Sequence, residues 1–223
     1  MVHRDFHIGN ILFVIDGYCY NDYNACISDM GLCRKIDDID ETSIYGVIPY
    51  VAPEVLRGKP YSQAADIYSF GMIMYFVATG RQPFSNFSHD EILVLNICNG
   101  IKPEINEKIA PKCYVDLMKT CWDLDADNRP NSIEIKEFIE LFYNSLDQNF
   151  KVKKKQHHEI EEQFKETQES RKENLLTIKN NKSTTHAKAI YTSRLLNPFT
   201  KILSEYDDNI NNNTVEITDF ANF

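Results

Sequence analysis

The chain has 223 residues, 43% of them apolar, which allows one domain of ordinary size with its own core plus an extension. Its net charge of −9 excludes an electrostatic nucleic-acid binder, because phosphate contacts need a basic face. The longest apolar run, Ile67 to Ala78, is too short to span a bilayer and reads as a buried helix, so no membrane partner is expected.

In chain order, Ile11-Leu12-Phe13-Val14-Ile15 reads as a strand followed by an Asp16-Gly17 turn signal, and Ala25-Cys26-Ile27-Ser28 as a second, shorter strand. Residues 32–60 show no helical period and carry an acidic cluster at Asp37, Asp38, Asp40 and Glu41, as in a long surface loop. Residues 64–80 are helical and apolar on nearly every face, with Gly80 as a C-cap. Helices are predicted over His89 to Asn99, Tyr114 to Trp122 and Asn131 to Tyr143. The last carries an apolar stripe of Ile133, Ile135, Phe138, Ile139 and Phe142, with Asn131 or Ser132 as its cap. From Lys151 to Lys172 the chain is dominated by Lys, Glu and Gln and reads as a solvated helix with one supportive Glu161–Lys165 pair. From Asn180 onward Asn, Thr and Ser dominate, and 147–223 reads as charged linker and low-complexity, largely disordered tail. An apolar patch around Tyr191, Leu195, Leu196 and Phe199 is the exception.

The six cysteines form no Cys-x-x-Cys pair, which speaks against a zinc site. The segment after Met1, VHRDFHIGN, is polar and unlike a signal peptide, so reduced thiols in a cytoplasmic protein are expected. His3 and His7 are spaced H-x-x-x-H, but the metalloprotease form needs Glu where Arg4 stands. Lys151, Lys153, Lys154 and Lys155 could mark a localisation patch, although a solvated linker face explains them as well.

His3-Arg4-Asp5 is followed by Asn10, Asp29-Met30-Gly31 comes after the second strand, and Ala52-Pro53-Glu54 closes the long loop. The ordered set H-R-D-x-x-x-x-N, D-M-G, A-P-E resembles the signature of eukaryotic-type protein kinases. Asp66 in DIYSFG, Cys121-Trp122 and Asn128-Arg129-Pro130 extend the likeness, in the manner of the tyrosine-kinase-like branch. It covers roughly 1–146, a partial kinase domain running from the catalytic loop onward.

The resemblance implies a mainly α fold: a kinase C-lobe with a short β-hairpin, no N-lobe and a disordered C-terminal tail. It implies ATP and Mg²⁺ as cofactors, a protein substrate, and phosphoryl transfer to protein hydroxyls, Ser/Thr in the first place, in signal transduction. Asp5, Arg4 and His7 are the implied catalytic-loop residues: Asp5 accepts the substrate proton and Arg4 pairs with an anion on the long loop. Asn10 and Asp29 would bind Mg²⁺ and nucleotide, and hard oxygen donors suit that ion. Gly31 would let the backbone turn after the metal ligand, and His3 would be structural. Glu54 would pair with Arg129, and Asp66 would anchor the catalytic loop. Thr42, Ser43 and Tyr45 fall where kinases are phosphorylated.

Two positions depart from the Ser/Thr pattern: His7 stands in place of a lysine, and Val47 in place of a threonine. The stretch from Ile15 to Asn24 is longer than the family's tight turn. No two of the eight glycines are separated by a single residue, so the Gly-rich phosphate-covering loop does not occur in the chain. Two rival readings follow: a non-catalytic kinase-like interaction module, or a truncated gene product inactive alone. In either, the tail could bind another protein.

Overall fold

The computed structural model describes residues 1–15, 23–35, 43–173, 184–200 and 203. The apolar run Ile11–Ile15 forms β1 and pairs antiparallel with β2, Tyr23–Ile27, in the register Ile11↔Ile27. The acidic cluster at 37–41 and Thr42 lie outside the described residues.

The expected surface loop is largely interior where it is described. Tyr45–Gly46 is a short strand, β3, and Pro53–Leu56 a single helical turn, α1. Val47, Ile48, Tyr50, Ala52, Val55 and Leu56 are all buried. Without a helical period this segment looks like a loop, yet its apolar content is high enough to be drawn into the core.

The core is built around α2, Gln63–Thr79. Ser62 caps it by accepting the Ala65 N–H, and Gly80 ends it in the left-handed region at φ 66°. Buried residues fall on several of its faces, among them Tyr68, Met72, Ile73 and Met74. Each large side chain so covered contributes about 1.5–3 kcal/mol. Next come α3 (Glu91–Cys98, capped by Asp90), α4 (Lys112–Cys121) and α5 (Ser132–Leu146). Helices α2 and α4 touch through Gly71, where an added Cβ would lie 3.0 Å from the Cys121 Cβ and 3.2 Å from the Trp122 nitrogen. Only the absence of a side chain permits that approach. In α5 the capping box of Asn131 and Glu134 is complete. Of the predicted stripe only Ile135 and Phe142 are buried; Ile133, Phe138 and Ile139 stay exposed.

The boundary expected at 146 is not where packing stops. Helix α6, Lys155–Glu173, lies against α4 and α5. It buries Ile160 and sets Phe164 edge-on to Phe142 at 5.9 Å. Its polar residues make tertiary bonds. Gln163 Oε1 caps α4 by accepting the Cys113 N–H at 2.8 Å, and Lys153 Nζ bridges Ser145 O and Glu161 Oε2. The Glu161–Lys165 pair forms as well, at 2.7 Å. Residues 184–200, expected to be tail, also return to the lobe. Arg194–Leu195 forms β4, antiparallel to β3, and Leu196 is fully buried. No helix among the described residues is long and apolar enough to cross a membrane.

Candidate active site

The segment 3–10 is held from beneath by the N-terminal end of α2. Asp66 accepts the His3 and Arg4 amides at 2.7 and 3.2 Å. Burial pushes the Asp66 carboxyl above its ordinary range, and those two backbone donors pull against it. Arg4 adopts φ 72°, a left-handed backbone that costs a non-glycine residue of order 1–3 kcal/mol. Its guanidinium stacks over the Tyr61 ring at 5.1 Å, and Tyr61 Oη donates to Tyr45 O.

Asp5 follows, buried, with Oδ1 making no hydrogen bond. An orphaned buried carboxylate oxygen is costly, and in a catalytic loop it is what a proton acceptor requires. His7 Nε2 stands 3.6 Å from this oxygen. His7 Nδ1 accepts the Gly9 N–H at 3.1 Å, which places the proton of the neutral ring on Nε2, facing Asp5. Gly9 is required there, because a Cβ would come within 2.8 Å of the imidazole. Val47 is buried and offers Asp5 no polar contact.

Asn10 commits its Nδ2 donor to the Asp5 carbonyl at 2.9 Å, and its own carbonyl accepts both the backbone N–H and the hydroxyl of Ser28. The β1–β2 register therefore sets Asn10 and Asp29 at neighbouring ends of the hairpin. His3 Nε2 lies 3.1 Å from Ser28 O and ties the same corner to the loop. The sharp turn expected of Gly31 belongs instead to Asp29, at φ 57° and ψ 64°. Gly31 sits in the 3-10 turn Met30–Leu32, where a Cβ would lie 3.3 Å from Asp29 Oδ1. Its smallness gives that exposed carboxylate room. Asp29 and Asn10 supply two hard oxygen donors, a set that suits Mg²⁺ completed by phosphate and water. No cluster of three or more His, Cys, Asp or Glu suited to a softer metal exists among the described residues.

Away from this corner, Arg129 pairs bidentately with Glu54 at 2.7 and 2.8 Å. It also donates to Ala64 O and Asp123 O. The cations of Arg129 and Lys102 lie 5.2 and 5.0 Å from the centre of the Tyr68 ring. Burial lowers the Lys102 pKa to about 8. Ser43 and Tyr45 line a cavity of about 260 Å³ together with Arg4, Arg34, Leu32 and Tyr61. Sequence reasoning passed over Tyr61, Arg34 and Lys102; their spacing from the motifs carries no signal.

The family model of the protein tyrosine and serine/threonine kinases matches residues 1–139. The chain is 33% identical over 147 residues to a putative serine/threonine-protein kinase/receptor, R831, of Acanthamoeba polyphaga mimivirus, covering 66% of this chain and 9% of that protein. It is 35% identical over 133 residues to the probable serine/threonine-protein kinase roco8 of Dictyostelium discoideum, covering 59% and 7%. With the serine/threonine-protein kinase PkwA, described as probable, of Thermomonospora curvata it shares 33% over 138 residues, covering 60% and 17%. The chain thus spans less than a fifth of the length of these relatives.

Proposed function

The chain belongs to the protein tyrosine and serine/threonine kinase family, and from that premise we propose that it carries the catalytic half of an ATP-dependent kinase acting on Ser/Thr hydroxyls of proteins. The observation that carries this reading is Asp5. Its carboxylate is buried, its Oδ1 has no hydrogen-bond donor, and its backbone is fixed through Asp66 and Asn10.

In this mechanism the acceptor hydroxyl is oriented at Asp5 Oδ1, which takes its proton as the oxygen attacks the γ-phosphorus. The bond from the γ-phosphorus to the β-phosphate oxygen breaks, and ADP leaves. Asn10 and Asp29 would hold Mg²⁺, whose charge would offset that of the phosphates. His7, its Nε2 3.6 Å from Asp5 Oδ1, stands where the Ser/Thr relatives carry lysine. A phosphate-covering glycine loop and a strand lysine are also needed, and neither motif occurs in these 223 residues. The names of the relatives support the Ser/Thr choice. A role in signalling and a cytoplasmic location go with it in this proposal.

The test joins the chain to an ATP-binding lobe and measures phosphotransfer to casein. Asp5→Asn should lower kcat by about 10²–10⁴-fold, the usual worth of positioned acid–base catalysis. Asp29→Asn should lower it comparably, with part of the loss recovered at high Mg²⁺. Near-normal turnover in both variants would sink the proposal and favour a non-catalytic interaction module.

A further inference from the structure

The tail segment returns to the lobe along the α2–α3 connection and then beside the proposed catalytic aspartate. Strand β3 pairs with β4 in the register Tyr45↔Leu195 and Gly46↔Arg194. The pairing continues past the strand: Leu196 N donates to Ile44 O at 2.7 Å, and Ile44 N donates to Asn197 Oδ1 at 2.8 Å. Leu196 is completely buried among core residues, and the ring of Phe199 packs under the Arg194 guanidinium at 4.3 Å.

Upstream, the segment is anchored on the α2–α3 connection. His89 is buried, stacks edge-on to Tyr191 at 4.8 Å and receives the Ile190 N–H. Tyr191 Oη donates to Pro83 O, Arg194 donates to His89 O, and His186 N donates to Ser85 O. Three anchors in succession distinguish this from a strand laid down by chance.

The place matters because of what β3 borders. A Cβ on Gly46 would lie 3.8 Å from Asp5 Oδ1. A polypeptide bringing a hydroxyl to Asp5 must come within about 3 Å of that oxygen, and so must pass beside Gly46. The outer edge of β3 is the extended backbone available for it to pair with, the mode by which sheet edges capture peptides. That edge is occupied by the chain itself.

We propose that residues 186–199 form an intrasteric strap: a built-in segment that fills the acceptor-peptide surface beside Asp5 by strand pairing and by seating Leu196, so that a protein substrate must displace it. The proposal rests on the kinase reading for its consequence and not for its geometry. Twelve residues, 174–185, separate the strap from Glu173, the last residue of α6. Being part of the same chain, it meets its seat at an effective concentration that a separate peptide lacks. The strap therefore prevails over a dilute peptide and yields when its seat is spoiled.

The experiment uses the whole 223-residue chain, without nucleotide, and a fluorescein-labelled peptide of residues 184–203. Leu196→Asp empties the seat in cis and should bind the peptide at least tenfold more tightly than the wild-type chain. A peptide carrying the same substitution should bind neither. Equal affinity of the two chains, or none in both, overturns the strap. Should Leu196→Asp fold poorly, hydrogen exchange on the wild-type chain decides: the Leu196 amide should be protected, and exchange at the unfolded rate overturns it. Phosphotransfer in the lobe-joined protein then separates the two readings. A severalfold lower KM for casein in Leu196→Asp supports the shared surface, and an unchanged KM overturns it. Absence of transfer in both sinks the catalytic reading and leaves the strap to the peptide measurements.

Discussion

Two carboxylates of the same molecule, one half-buried and one buried, are treated in opposite ways. Glu54 meets Arg129 through two bonds of 2.7 and 2.8 Å, and the guanidinium is further satisfied by the carbonyls of Ala64 and Asp123. Asp5 is set deeper, yet its Oδ1 has no hydrogen-bond donor and its neighbour Arg4 holds a left-handed backbone. The ion pair is saturated, while the proposed proton acceptor is left open beside strained chain. The contrast sets a saturated ion pair against an open carboxylate without reference to any relative.

The sharpest way to break this comparison is to cut the saturated pair. Arg129→Met leaves Glu54 without its cation and should cost about 3–5 kcal/mol in urea unfolding. A loss below about 1 kcal/mol would show that the pair is incidental.

Next in size is Asn131→Ala, which removes a complete capping box from α5 and should cost about 1 kcal/mol by thermal or urea unfolding. That value marks what a saturated but exposed polar group contributes, between the two carboxylates.

A subtler effect belongs to Lys102, whose Nζ is buried without a hydrogen bond. Its pKa falls to about 8 in the folded chain, chiefly through burial, against about 10.4 unfolded. Between these values the unfolded state binds more protons, so this group's contribution to stability rises as pH increases from 8 to 10. The cysteine thiols whose pKa values are raised by burial oppose the trend above pH 9. The check is therefore the difference between wild type and Lys102→Met, which should grow in favour of wild type across that window. A flat difference would contradict it.

The smallest effect should be Asp5→Asn. Neutralising an unsatisfied buried carboxylate should change unfolding stability by less than about 1 kcal/mol, while removing the proposed chemistry. If it destabilised as much as Arg129→Met, the distinction between open and saturated carboxylates would fall.

Much of the lobe was legible in the sequence, by two routes. The β1–β2 hairpin and helices α2 to α5 followed from period and capping: Gly80 and Asn131 mark ends that need no tertiary information. Asp66 lies 63 residues from His3, and Glu54 lies 75 from Arg129. No periodicity brings such residues together, and only the ordered motifs suggested those pairs. Helix α6 was read, but its packing was illegible for a physical reason. Its anchoring depends on Ile160, Phe164 and polar side chains such as Gln163 that reach α4, and a charged composition hides such contacts. Ile160→Ala offers a direct measure. It should cost about 2–4 kcal/mol if α6 is part of the core, and nearly nothing if the helix were solvated. The positive φ of Asp29 was missed because the adjacent Gly31 is the more obvious place for a turn.

The Gly71 contact has a chemical consequence. Cys121 sits fully buried in the seam between α2 and α4, with burial pushing its thiol up to about 12, while Cys26 lies at the surface. Alkylating reagents attack thiolates, so Cys26 reacts at once and Cys121 waits until the two helices part. The lobe thus carries an internal timer. The lag between the two modifications, read by mass spectrometry, counts how often the seam opens in the undisturbed protein.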